Sequence, residues 1–380
     1  MNIRVSLLLV AAVSIFATSC KKEEDKNSPS KPELNIPAEY ISVDYTANTI
    51  AETDLKSQLS GLSSYMKTAE NGTTKLDITT LKDKFANSGN PSLKSITGTD
   101  YASRVENDWF PVLVDASGNA YDPANGSSAQ NGGVYSGRLL DKGGKENLQE
   151  IEKGLYGAAL FNRLVTLSEG IINQATIDQM ISIIGASPAF PNTNTAANTS
   201  SPDTYVALYM ARRDKNDGNG FYGLMKKNFI KLQSAVKAGA DYTAEKEAAL
   251  AAIKENIEKG IVATAINYGY ACITKLSSTN PPALTIAGGL HDISEGIGFI
   301  HGLKAIPQKH RKITDIQIEE ILTLLNAPVQ GNSAVYKFVT DGATELQKIT
   351  QVQQKLKVIY GFTDAQMEDF KQNWISAQGR

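Results

Sequence analysis

The chain has 380 residues, with 38 Lys and Arg against 40 Asp and Glu and a formal net charge of -2. With 41% hydrophobic and 21% charged residues it has the makeup of a folded protein, long enough for one large or two modest domains. That balance excludes a polybasic nucleic-acid binder and a highly charged disordered chain, and two cysteines exclude a disulfide scaffold, a cysteine-rich zinc module and a cysteine-ligated iron–sulfur cluster.

The N-terminus carries an address. Arg4 supplies one positive charge, Val5 to Phe16 is apolar apart from Ser6 and Ser14, and Ala17-Thr18-Ser19 precede Cys20. A short basic start, an apolar run and small residues describe a secretory signal over residues 1–19. The run is shorter than the ~20 residues a bilayer span needs. Small residues ahead of a cysteine resemble a bacterial lipobox, with Ala17 where leucine is usual, and this resemblance implies that Cys20 becomes the acylated first residue. Lys21-Lys22-Glu23-Glu24-Asp25 resembles the export signal of lipoproteins placed on the outer face of the outer membrane, which points to the cell surface rather than the periplasmic face. Residues 20–38, with Pro29, Pro32 and Pro37, read as a lipidated tether, and residues 39–380 as a helical-bundle domain. Cys272 then has no partner within the chain and is expected as a buried thiol.

Helical spacing dominates from there. Leu55, Leu59, Leu62 and Met66 form one stripe over Glu52–Glu70, closed by Asn71-Gly72. Asp77 is a candidate cap for a short helix at Ile78–Phe85. Val112-Leu113-Val114 and Val134-Tyr135 suggest a small hairpin around a Gly, Asn and Asp-rich loop at 115–145. Helices are expected at Glu146–Ile172, Thr204–Arg213, Phe221–Ala238, Ala244–Leu276, Leu284–Leu303, Asp315–Leu325, Ala334–Leu356 and Thr363–Trp374, with a polar loop at 185–203 and a break at Pro281-Pro282. The fold class is therefore all-α, a bundle of long helices with long polar loops and at most a small hairpin.

The segment with chemical content is LTIAGGLHDISEGIGFIHGLKAIPQKH at 284–310, which holds all three histidines, His291, His301 and His310. At about 100° per residue, Ile286, Leu290, Ile293, Ile297 and Ile300 make one stripe, and Leu284, Gly288, His291, Glu295, Gly298 and Gly302 make another on the opposite face. A solvated face would not carry glycines, each of which costs about 0.8–1 kcal/mol inside a helix. The row implies the close approach of another helix or room for a ligand, and both place this helix inside the bundle. His291 and Glu295 sit one turn apart and can act as two metal ligands, as a proton-handling dyad, or as a buried hydrogen bond that fixes the helix register. A divalent site needs three or four protein ligands, so other helices would have to contribute. His301 lies about 15 Å further along the axis and is not expected at the same ion. Asp214-Lys215-Asn216-Asp217-Gly218-Asn219-Gly220 has the flavour of a calcium loop but lacks the glycine and glutamate that such a loop needs, and reads as a turn. Trp109 and Trp374 read as packing anchors.

The string His291-Asp292-Ile293-Ser294-Glu295-Gly296-Ile297-Gly298 resembles the signature of an uncharacterised bacterial lipoprotein family, domain of unknown function 4856. Val43-Asp44-Tyr45, the helix at Ile151–Ala158, Ala211-Arg212-Arg213-Asp214 and Lys357–Gly361 resemble further parts of it, so the likeness covers about residues 40–375. The layout is more distantly similar to the imelysin group, helical outer-membrane proteins linked with iron or haem uptake and once proposed as metallopeptidases. Gly289-Leu290-His291 matches the start of their Gly-x-His-x-x-Glu motif, but Glu295 falls one residue late, and the acidic-aromatic motif expected before Arg213 is replaced by the 185–203 loop. The resemblance implies a cell-envelope lipoprotein in which His291, Ser294 and Glu295 bind a cofactor or ligand, His291 and Glu295 touch a metal, and iron or haem is handed to an outer-membrane receptor. Its alternatives are a structural or interaction lipoprotein without a metal site, and a metal-dependent peptidase.

Overall fold

Apolar residues at helical spacing coil and then bury their stripes against one another, because a helix this short of charge on one face is stable only when that face leaves water. The computed structural model describes residues 31–86, 91–123 and 131–380. The signal, Cys20 with the charged cluster after it, and Asn125-Gly126 lie outside these residues. Leu34–Arg380 forms one compact unit, an all-α bundle with a single two-stranded hairpin.

Six helices build the interior: α1 (Ile50–Lys67), α2 (Asn147–Leu155), α3 (Phe221–Ala238), α4 (Thr243–Leu276), α5 (Ala283–Gly302) and α6 (Gly342–Tyr360). Leu55, Leu59, Leu62 and Met66 are buried on α1 as their spacing requires. Asp77 caps the Ile78–Ala86 helix by accepting from the Thr80 amide at 2.7 Å. The 34-residue α4 is the central strut, packed on α3, α5 and α6, and Pro282 starts α5 after the break. The far side of α5 lies on α2, which continues through a π-turn at Tyr156–Phe161 into the Asn162–Ser168 helix. Cys272 is a fully buried free thiol on α4. Among the described residues no helix is long and apolar enough to cross a membrane.

Four elements differ from expectation, one of them the Ala334–Leu356 helix, which is a short helix at Lys337–Thr340 followed by α6. Val112-Leu113-Val114 is not a strand; it lies in the Phe110–Ala116 helix, where Phe110 and Leu113 share the buried face. The hairpin instead pairs β1 (Gly133–Tyr135) with β2 (Arg138–Leu140) through Ser136 and Gly137, both at positive φ, the backbone that a tight two-residue hairpin demands. The expected Thr363–Trp374 helix is two short ones, Asp364–Asp369 and Trp374–Gln378, each with its own side-chain cap, from Thr363 and Asn373. A helix at Gln174–Ile183, capped by Asn173, carries no strong periodic signal and was not expected.

At Gly298 and Gly302 the glycine row of α5 is explained by the approach of α2, while Gly288 lies beside the Lys275 side chain of α4. A Cβ built on Gly302 would stand 2.2 Å from the Gly154 carbonyl oxygen, and one on Gly298 would stand 2.8 Å from that of Gln149. These are contacts with backbone, which has nowhere to move without parting the helices. Gly302→Ala is therefore expected to lower unfolding free energy by about 2–3 kcal/mol. Gly61→Ala on α1, where an added methyl meets nothing within 4 Å, should raise it by about 0.5–1 kcal/mol. Urea denaturation of the two variants checks the pair of signs.

Candidate functional site

Bringing α2 this close to α5 places a row of buried charges between them. Glu146 precedes α2 and is fully buried; its Oε2 lies 2.7 Å from Nδ1 of His291. A carboxylate at that distance accepts a hydrogen bond from Nδ1–H, so a neutral His291 ring keeps its lone pair on Nε2. That nitrogen faces Oε1 of Glu295 at 3.8 Å, too long for a hydrogen bond. Glu295 is held instead by the Lys153 ammonium at 3.2 Å, and Lys153 also meets Glu152 at 2.8 Å. The Tyr156 and Tyr209 rings each lie 5.3 Å from the same ammonium. Ser294 faces the other way along the seam: its hydroxyl donates to the Leu290 carbonyl at 2.7 Å and accepts the Glu146 amide at 3.0 Å. It ties the start of α2 to α5.

One turn further, Glu150 repeats the arrangement with His301, whose Nδ1 lies 2.8 Å from Glu150 Oε1. Lys145 bonds the other oxygen, Oε2. Tyr101 and Trp109 enclose the imidazole edgewise, at 5.3 and 5.4 Å between ring centroids. A cavity of about 450 Å³ opens here, lined by Trp109, Asp141, Lys145, Asn147, Glu150 and His301 among others. Its wall takes in His301 but not His291. The two histidines thus serve separate dyads, as their spacing along the axis implied. His310 lies apart from both, on Glu169 at 2.8 Å.

Burial and charge act against each other along the seam. Burial would raise Glu150 and Glu152, yet Lys145 and His301 bring the first down to about 2, and Lys153 and Lys67 bring the second down to about 2. Burial would depress Lys153, but the phenols of Tyr156 and Tyr209 and the carboxylates of Glu295 and Glu152 hold it above its ordinary value. Burial would likewise depress His291; Glu146 and then Glu295 raise it instead. Glu70 differs, pushed up to about 7 by burial and by Glu146. Oε1 of Glu70 and Oε1 of Glu146 are both buried without a donor, at 4.0 and 3.9 Å from the Arg138 guanidinium.

His291, Ser294 and Glu295 therefore all lie in the buried seam, but the partners that define their chemistry are Glu146 and Lys153 on α2, which the sequence reading did not single out. The signal was present in Glu146-Asn147-Leu148-Gln149-Glu150-Ile151-Glu152-Lys153-Gly154, where four charges accompany a glycine and every residue is buried. As metal donors the chain offers Nε2 of His291 and an oxygen of Glu295 that already holds an ammonium. Among the described residues no three His, Cys, Asp or Glu side chains are placed to hold an ion. A resident divalent ion does not fit a set of two donors beside a cation.

The raised pKa of Glu70 sets a pH dependence. A folded-state pKa raised above the unfolded value means the folded protein binds more protons, so Glu70 loses stability as pH rises from about 4.5 through 7. His291 acts in the same direction, and so does Asp203, which burial pushes up to about 7. Stability is expected to fall between pH 5 and 8, and Glu70→Gln to remove on the order of 1–2 kcal/mol of that fall, a figure discounted for partial exposure. Melting temperatures of both proteins across this range check it.

No curated protein and no solved structure matches the chain. Residues 188–363 match the family model described as Domain of unknown function (DUF4856), a span that includes His291, Ser294 and Glu295 but leaves Glu146, Glu150 and Lys153 outside it. The chain carries a domain of the DUF4856 family, and its α5 helix with the His291–Glu295 string lies within that domain.

Proposed function

We propose that the protein is a cell-envelope lipoprotein, anchored to the outer membrane through a lipid on Cys20, whose helical body binds an iron-bearing cargo such as haem for transfer to an outer-membrane receptor. The observation that supports this best is the preparation of His291. A buried carboxylate fixes its Nδ1 proton at 2.7 Å and turns Nε2 outward from that pair, the arrangement by which a second-shell carboxylate orients a histidine ligand. The side chain keeps 17% of its exposure. Two protein donors cannot hold a bare ion, but a cargo that brings its own coordination shell needs only one or two more. Haem is of this kind, since a single axial imidazole suffices to hold its iron. The lipobox and the charged cluster after Cys20 support the surface location.

Titration of the purified protein with haem tests the reading. A saturable Soret shift at one equivalent is expected, lost in His291→Ala while the helical circular dichroism stays unchanged. Because Glu146 and Glu295 raise the imidazole, iron must displace a proton, and affinity should strengthen as pH rises through the His291 pKa. No spectral change with haem, together with no retention of iron from ferric citrate, rejects the proposal.

A second reading is favoured by Lys153. Its ammonium bridges Glu295 and Glu152, which leaves the lower seam balanced without a cargo. On that reading the seam is a structural clamp of an interaction lipoprotein. Lys153→Met would then cost about 3–5 kcal/mol, as expected for carboxylates left buried and unpaired, and no ligand-dependent property would change.

A further inference from the structure

Arg213 stands out among the buried cations. It is only 9% exposed, and no carboxylate of the described residues lies within ion-pair distance of it. Arg163, by contrast, meets Glu52 at 3.1 Å, Arg311 meets Asp315, and Arg138 lies between Glu70 and Glu146. Arg213 donates from Nη1 to the Phe370 carbonyl at 3.2 Å, and its Nε is buried with no acceptor. A guanidinium cannot shed its proton to relieve burial, so an unbalanced one is expensive unless an anion joins it. The adjacent Asp214 is not that anion. Its carboxylate is taken up by the Asn216 amide at 2.6 Å, the Gly223 amide at 3.0 Å and the Asn192 side chain at 3.2 Å.

The residue forms part of the wall of a cavity of about 170 Å³, together with Lys215, Gly220, Phe221 and Phe370. Gly220 is the N-cap of the 18-residue α3, and the Asp214 carboxylate, by accepting the Gly223 amide, caps the first turn of that helix beside the same space. Two carboxylates also reach the wall. Asp369 is bound by Lys215 at 2.6 Å, and Asp217 is exposed and accepts the Asn219 amide at 2.8 Å. Neither reaches the guanidinium.

We propose that this cavity binds a small oxyanion of phosphate size, with Arg213 as the buried anchor and Lys215 as the outer cation. The site is separate from the seam and does not rest on the haem reading. Asp214 has a positioning role in it: by closing the loop between Arg213 and α3, it holds the anchor and the helix end against one cavity.

The test uses the purified chain and inorganic phosphate, with chloride at equal ionic strength as the comparison. Phosphate should raise the melting temperature saturably where chloride does not, and phosphorus NMR should report the bound ion. Arg213→Gln should weaken binding at least about tenfold, as loss of a bidentate charged contact implies. Lys215→Gln should weaken it less, and His291→Ala not at all. Equal responses of the wild-type chain to phosphate and chloride, or an unchanged phosphate response in Arg213→Gln, would overturn the proposal. If Arg213→Gln does not fold, the wild-type titration and Lys215→Gln decide: phosphate-specific binding weakened by the lysine change supports the site, and its absence removes it.

Discussion

Backbone contact between α2 and α5 sets the spacing of everything that lies between them. Gly154 and Gly157 meet Gly302, and Gly298 meets the carbonyls of Gln149 and Glu150, so the two helices run as close as main chains allow. At this separation no aliphatic side chain fits the contact, and the long side chains beside it must extend along the groove. Charged residues with three or four carbons of reach suit that space, provided each finds a partner. The glycines and the ion pairs are thus two consequences of one geometric condition.

The condition explains why removing single charges here should matter more than at the surface. An exposed pair such as Lys355 and Glu320, 3.1 Å apart, is screened by water and salt and contributes little. In the seam, Glu146, Glu150, Glu152, Lys153 and Glu295 share one poorly hydrated strip, and all but Glu146 meet a lysine or glutamate of opposite charge on the other helix or beside their own. The carboxylates outnumber the ammonium groups there. The raised pKa values of Glu70 and His291 are how the strip brings its negative charge down.

The α5 reading from sequence held because its signal was internal to one helix. Glycines spaced 4 and 3 beside an isolated histidine and glutamate have no use on a wet face, and Gly298 and Gly302 do lie against backbone. The partner helix was harder to read. Leu148, Ile151 and Leu155 make an ordinary amphipathic stripe, and by that pattern Glu146, Glu150 and Lys153 belong to solvent. They are buried because α5 covers the second face, a tertiary fact that periodicity in one segment cannot carry. The hairpin failed for a related reason: Val112-Leu113-Val114 has strand composition, but Phe110 and Leu113 at helical spacing face the core and decide the matter.

Two π-turns complete the seam. Such turns strain the helix ladder and are found mostly where function or packing requires a side chain to be re-aimed. The one at Val105–Trp109 ends on Trp109, which lies 5.4 Å from the His301 ring and 5.9 Å from the Lys145 ammonium. The one at Tyr156–Phe161 begins on Tyr156, whose ring faces Lys153 and whose next residue, Gly157, touches Gly302. Each therefore brings an aromatic side chain to one of the two lysines that balance the seam. An indole or phenol ring excludes water from an ammonium while still attracting it, which keeps the charge buried and strengthens its hold on the carboxylates beyond. An extra residue in the helical turn is a small local defect, and here one occurs beside each of these two lysines.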